Sequence, residues 1–139
     1  MTLARRLLVV VVMKRDDENG IDERAHRFFV NVLAFVDTIP IEPKTKRLIE
    51  QLAAAAGSIG GNREEALGGS SRKEFIRFNE VSLRGANESV RWLRACAVRK
   101  LGAQQHCVAL LDEGRQLARI LGKIVVTSKR RDKEGSSQT

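Results

Sequence analysis

The chain has 139 residues, the length of a single domain that can bury a core without disulfides or metals. Its 25 basic and 17 acidic residues give a net charge of +8, which favours an anionic partner or surface. Aromatic residues make up only 4% and tyrosine is absent, which argues against a nucleic-acid surface built from stacked rings.

The two cysteines, Cys96 and Cys107, have neither the number nor the spacing of a disulfide framework or a zinc site. We therefore expect reduced, buried thiols in a cytoplasmic protein, with a functional thiol as the less favoured alternative.

Residues 1–19 are predicted to form an extension to the domain. The apolar run at residues 7–13 follows Arg5 and Arg6, stops at Lys14, and is far too short to span a bilayer. No small-residue cleavage site follows it, as a signal peptide would require. We expect a frayed or helical extension with a polar linker, and no membrane association.

Four segments have apolar residues at the helical period of 3.6. The first covers residues 21–38 and ends before Pro40 and Pro43. The second covers residues 44–67, and its alanine run at residues 53–56 predicts close approach of another helix. The third covers residues 72–101 and spans about 45 Å. The fourth covers residues 104–127, and residues 129–139 have the composition of a disordered basic tail.

Glycine and serine residues predict the breaks between these helices. Gly60 and Gly61 are expected to kink the second helix or weaken it locally, and Gly68-Gly69 to end it with a positive φ. Ser71 and Glu74 have the spacing of a capping box, and Gly102 is expected to stop the third helix. The pattern predicts an all-α, antiparallel up-down four-helix bundle over residues 20–128.

The segment Ser58-Ile59-Gly60-Gly61-Asn62-Arg63-Glu64-Glu65-Ala66 resembles the "SIGxNxxEA" element of the four-helix-bundle proteins encoded in 23S rRNA intervening sequences. Arg72-Lys73-Glu74-Phe75-Ile76 then resembles that family's "S(R/K)KEFI" stretch, and Asn87-Glu88-Ser89 with Trp92-Leu93 its "ARES…WL" element. The residues that carry the resemblance and are expected to be structural are Ser58, Ile59, Gly60, Asn62, Glu65, Phe75, Ile76 and Trp92.

The family is also similar to the accessory variability protein of diversity-generating retroelements. The resemblance implies a homo-oligomer, a homopentamer in particular, that binds nucleic acid through a basic surface and has a reverse transcriptase as a possible partner. The chain departs from the family pattern at two positions, where Arg63 and Asn79 stand in place of the usual apolar residues.

A basic strip on the third helix is the first candidate site. Arg77, Arg84 and Arg91 recur every seven residues, so they are expected to lie along one edge of the helix. We define the basic strip as these three residues with Lys73, which extends the line, and Arg94, which flanks it. Its guanidinium groups suit a phosphate backbone. The alternative is a solvated or intersubunit face on which Glu80 and Glu88 neutralise Arg84.

We expect the other candidate site residues to have structural roles. Asn62 with Glu64 and Glu65 could position a substrate or metal. We favour instead a bond from Asn62 to backbone loosened by the glycines, and pairing of both glutamates with basic residues of the third helix. His26 and Trp92 are expected to be interface or core residues.

His26 and His106 lack metal-ligand spacing, so we expect neither metal nor cofactor. The sequence thus predicts a non-catalytic protein that binds RNA, or possibly DNA. The alternatives are a protein-interaction scaffold without a nucleic-acid role and, less favoured, a small enzyme.

Overall fold

A computed structural model describes residues 20–137, with side chains over residues 20–135. It contains four helices: α1 (Gly20–Val36), α2 (Pro43–Gly68), α3 (Arg72–Arg99) and α4 (Gln104–Ser137). Each helix packs against the next and α4 also packs against α1, which gives a four-helix bundle. No strand occurs among the described residues, so the all-α prediction is confirmed. The predicted extension at residues 1–19 lies outside this range.

Apolar side chains from all four helices form one continuous core. Each fully buried leucine, isoleucine or phenylalanine stabilises the fold by about 1.5–3 kcal/mol. The largest of these side chains are Phe28, Phe35, Leu52, Ile59, Leu93, Leu110, Leu117 and Leu121.

Gly102 forms the tight junction between α3 and α4. It has a φ of +74°, and a Cβ atom there would lie 2.8 Å from the Thr38 hydroxyl oxygen. That hydroxyl accepts a hydrogen bond from the Ala103 amide at 2.9 Å and donates one to the Phe35 carbonyl at 2.6 Å. The predicted stop at Gly102 lies close to the observed one: α3 ends at Arg99, and Lys100, with a φ of +57°, caps it.

The helix α2 runs without interruption through Gly60 and Gly61, the predicted point of a kink or local weakening. Bonds to α3 hold the helix on either side of them. The Ser82 hydroxyl donates to the Ile59 carbonyl at 2.7 Å, and Arg63 Nη1 donates to Asn79 Oδ1 at 2.8 Å. These cross-helix bonds offset the low helix propensity of glycine.

The positive φ predicted for Gly68-Gly69 at the end of α2 is wrong. Gly69 is extended, with φ −68° and ψ 149°, and its amide donates to the Ala66 carbonyl at 3.3 Å. At the start of α3, the Ser71 hydroxyl accepts from the Glu74 amide at 3.2 Å, which confirms the predicted cap. The Glu74 carboxylate accepts a hydrogen bond from the Ser70 amide at 3.0 Å, whereas a capping box would have it accept from the Ser71 amide.

The alanine run of α2 allows close approach of α3, as predicted. The contact forms at Gly85, where an added Cβ would lie 3.0 Å from the Ala55 carbonyl oxygen and would collide with the Ser58 hydroxyl. A side chain at this position would therefore force the two helices apart.

The predicted disorder of residues 129–139 is wrong over most of that segment, because α4 continues to Ser137. Lysine, arginine and glutamate favour helix, and α3 supports the extension. Lys129 Nζ lies 3.5 Å from Glu80 Oε1, and Arg131 lines a shallow depression with Arg72 and Phe75. None of the helices described is long and apolar enough to cross a membrane.

Candidate nucleic-acid interface

The five residues of the basic strip all lie on the exposed side of α3. The opposite side of the helix is buried, as fully buried Ser82 and Leu93 show. From Lys73 to Arg91 the strip extends 18 residues, or about 27 Å. The structure therefore places the sequence-predicted cations together on one solvent-accessible surface.

The expected neutralisation of Arg84 by Glu80 and Glu88 does not occur within the described residues. Glu80 pairs with Lys129 of α4 instead. Glu88 accepts a hydrogen bond from Trp92 Nε1 at 3.4 Å. Because Glu80 and Glu88 bond to Lys129 and Trp92, the exposed Arg84 guanidinium is available to bind an anion.

Aromatic rings lie beneath two arginines of the strip. The guanidinium of Arg77 lies 4.9 Å from the centroid of the Phe78 ring, and that of Arg91 lies 5.7 Å from the centroid of Trp92. Trp92 is half-buried and packs against the core. At exposed sites such cation–π contacts contribute about 0.5–1 kcal/mol and restrict the guanidinium orientation.

A second series of cations, which the sequence interpretation missed, runs along the exposed side of α4. Between Gly114 and Arg131 the helix carries six basic residues and no acidic residue. We call one exposed series of cations the α4 row. It consists of Arg115, Arg119, Lys123, Arg130 and Lys133, of which Lys133 lies beyond the acid-free stretch. The signal was present in the sequence as an acid-free stretch with cations at helical spacing. The predicted fourth helix, with its end at Thr127, contained Arg115, Arg119 and Lys123 but not Arg130 and Lys133.

The two basic series belong to neighbouring helices. Near the middle of α4, a Cβ atom added to Gly114 would lie 3.1 Å from the Val90 side chain of α3. Near the end of α4, Lys129 pairs with Glu80. Because α3 and α4 pack along their length, the basic strip and the α4 row lie at the same level of two neighbouring helices.

Asn62, Glu64 and Glu65 do not form a chemical site. The Asn62 side-chain amide donates to the Ser58 carbonyl at 2.8 Å, which is the local backbone bond we expected. The predicted pairing of Glu64 and Glu65 with α3 is wrong, because both are exposed and neither forms a salt bridge within residues 20–135. The preceding residue, Arg63, is the one that contacts α3, through its bond to Asn79.

Glu64 and the exposed His26 line a pocket of about 300 Å³ between α1 and α2, beside Phe29. Within the described part of the chain, no group of three or more histidine, cysteine, aspartate or glutamate residues could hold a metal ion.

Arg63 forms a buried polar network that sequence reasoning did not find. The side chain donates Nη1 to Asn79 Oδ1 at 2.8 Å, and Nε and Nη2 to the Asp22 carboxylate at 2.9 and 3.1 Å. Asn79 is fully buried and also donates to the Phe75 carbonyl at 2.9 Å. Arg63 and Asn79 are the two departures from the resembled family pattern. Arg63 therefore supplies the hydrogen-bond donor that the buried Asn79 oxygen needs.

Cys96 and Cys107 are free and buried, as expected. Burial, reinforced by the neighbouring Cys107, raises the pKa of Cys96 to about 12. Burial also raises the pKa of Cys107, whose thiol donates to the Leu93 carbonyl at 3.3 Å. Both side chains are therefore neutral at physiological pH and are poor nucleophiles.

Known protein families and solved structures include matches to this four-helix architecture. The family model of the 23S rRNA-intervening sequence protein matches residues 17–123. A solved structure from Bacteroides thetaiotaomicron, described as a protein of unknown function from the S23 ribosomal protein family, superimposes with a TM-score of 0.69. That match covers 76% of this chain and 97% of the other at 22% identity, and so supports the fold. No curated protein matches the chain.

Proposed function

Because the chain belongs to the 23S rRNA-intervening sequence protein family and carries two adjacent series of exposed cations, we propose that it binds RNA through this surface without catalysing a reaction. The main support for the proposal is the exposed basic strip, whose neighbouring acids Glu80 and Glu88 bond to Lys129 and Trp92 and not to its arginines. Arginine can donate two hydrogen bonds to one phosphate, so a line of arginines suits a polyanionic backbone.

The test is fluorescence anisotropy with a structured RNA over a series of salt concentrations. We expect binding that weakens steeply with salt, because each phosphate contact contributes about 0.7–0.9 to the slope of log K against log salt. The variant Arg77→Ala/Arg84→Ala/Arg91→Ala should lower this slope by about 2 to 3.

The matched control is Lys44→Ala/Lys46→Ala/Arg47→Ala, which removes three exposed cations from α2, a helix that does not contact α4. The control should keep the wild-type slope. Equal binding by the α3 variant and the wild type would rule out the basic strip as the RNA site.

The resemblance to the accessory variability protein of diversity-generating retroelements also suggests an oligomeric state and a protein partner. We propose a cytoplasmic homopentamer that can engage a reverse transcriptase, as the accessory protein of diversity-generating retroelements does. Light scattering should then give five times the chain mass of 15.5 kDa. A monomeric mass at the concentrations of the RNA assay would contradict the pentamer and leave RNA binding to be judged on its own.

A protein-interaction scaffold without a nucleic-acid role is the alternative. Exposed apolar side chains favour it, notably Val98 and Val108, which are 79% and 65% exposed. Gentle purification separates the two functions. A high ratio of absorbance at 260 nm to that at 280 nm supports RNA binding, and a protein partner with no nucleic acid supports the scaffold.

A further inference from the structure

We infer that the basic strip and the α4 row together bind the backbone of double-helical RNA in preference to single-stranded RNA, an inference that rests on the proposed function. The surface combines two straight series of cations with no exposed aromatic ring. Each of these features favours a regular duplex over a flexible strand.

The first reason is the position of the aromatic side chains, all six of which lie among the described residues. None is exposed, and Phe28 and Phe35 are fully buried. Near the strip, Phe78 is covered by Arg77, and Trp92 is covered by Arg91. Proteins that bind single strands without sequence preference depend on bases stacking on aromatic rings, at about 1–3 kcal/mol per base. The remaining ring near this surface, Phe75, is half-buried beside Arg72 and Arg131, so among the described residues the surface presents no fully exposed ring for that contact.

The second reason is the geometry of the cations. The strip from Lys73 to Arg91 and the α4 row from Arg115 to Lys133 each extend 18 residues, or about 27 Å. Packed helices keep their axes about 8–10 Å apart, so the two series form a wide, stiff array. A duplex holds its phosphates in a fixed array over this length, whereas a single strand has to be ordered first.

The third reason is that the surface is suited to backbone contacts. Its groups are mainly guanidinium and ammonium ions, which bind phosphate and do not distinguish bases. Between Arg84 and Arg91 the strip opens into a shallow depression that Asn87 and Glu88 also line, and the Asn87 amide can bond to a ribose hydroxyl. Double-stranded RNA is recognised mainly by its shape and by contacts of this kind.

The experiment compares an RNA duplex of about 20 base pairs with an unstructured single strand of the same length, uridine-rich and carrying one 2-aminopurine. Anisotropy is measured between about 50 and 200 mM salt. The proteins are the wild type, the α3 variant and control described above, and the α4 variant Arg115→Ala/Arg119→Ala/Lys123→Ala. Circular dichroism confirms that each variant is folded.

We expect the wild type to bind the duplex at least about tenfold more tightly than the single strand, a difference of about 1.4 kcal/mol. The α3 and α4 variants should each lower the salt slope for the duplex by about 2 to 3, and the control should not. The 2-aminopurine fluorescence should stay unchanged, since no base stacks on the protein.

Equal or tighter binding of the single strand, or quenching of its 2-aminopurine, would overturn the inference and leave RNA binding intact. Full duplex binding by the α4 variant would also overturn it, because the second series would then make no contact. Failure of the wild type to bind either RNA would overturn the proposed function itself.

Discussion

Replacing Arg63 and Asn79 by leucine, singly and together, tests whether these two residues stabilise the bundle as a unit. Asn79→Leu leaves Arg63 Nη1 without its acceptor in a side chain that is only 8% exposed. Arg63→Leu leaves the Asn79 oxygen buried without its donor. A buried polar group that loses its partner costs about 1–3 kcal/mol.

The charge of Arg63 stays paired with Asp22 in Asn79→Leu, so the larger penalty of an isolated buried charge does not apply. The Asp22 carboxylate is half exposed, and its loss as a partner in Arg63→Leu adds at most about 1 kcal/mol. Asn79→Leu should therefore lose about 1–3 kcal/mol, and Arg63→Leu about 1–4 kcal/mol.

The double variant should lose only about 1 kcal/mol, because two apolar side chains in place of a buried polar pair are often nearly neutral. The resembled family carries apolar residues at both positions. The single losses sum to about 2–7 kcal/mol, so the coupling energy between the two sites is about 1–6 kcal/mol, and the range of about 0.5–3 kcal/mol typical of residues in contact favours the lower half of that span.

Urea unfolding followed by far-ultraviolet circular dichroism measures these free energies, at one protein concentration because self-association would change them. Lys46→Leu, at an exposed position of α2, is the matched control and should change stability by no more than about 0.5 kcal/mol. A double variant whose loss equals the sum of the single losses within about 0.5 kcal/mol would contradict the reasoning.

Three further predictions follow from the packing. Gly85→Ala should destabilise the protein by about 1–3 kcal/mol in the same urea assay, whereas Gly61→Ala, whose added Cβ meets open space, should stabilise it by about 0.4–1 kcal/mol. Cys96 and Cys107 should resist iodoacetamide at pH 8 until the chain unfolds. The unfolding free energy should also fall as pH rises from about 9 to about 12, because the Cys96 thiol ionises in that window only in the unfolded chain. Residues 129–135 should show helical Cα chemical shifts by NMR, and random-coil shifts there would refute the extension of α4.

Much of the fold and the first part of the site could be predicted from the sequence. Apolar residues at a period of 3.6 located all four helices, with Pro43 and Gly102 marking boundaries to within about two residues. The spacing of seven placed Arg77, Arg84 and Arg91 on one face. These features depend on neighbours along the same helix, so local sequence is sufficient to define them.

Other features depended on partners that are distant in the chain. Glu80 pairs with Lys129, 49 positions away, and not with Arg84 four positions away, so only the packed structure shows that Arg84 is available. Residues 129–137 look disordered by composition, but become helical beside α3. The continuity of α2 through Gly60-Gly61 likewise depends on bonds from α3.

The amino-acid order by itself therefore determined the helices, their approximate ends and which cations share a face, because these follow from the geometry of a single helix. The tertiary structure decided which acid meets which base, how far α4 continues, and that Arg63 meets Asn79. Those outcomes depend on the register between packed helices, which no local pattern contains. Side-chain bonds across that register are strong enough to override the preferences of individual glycines and of a highly charged tail.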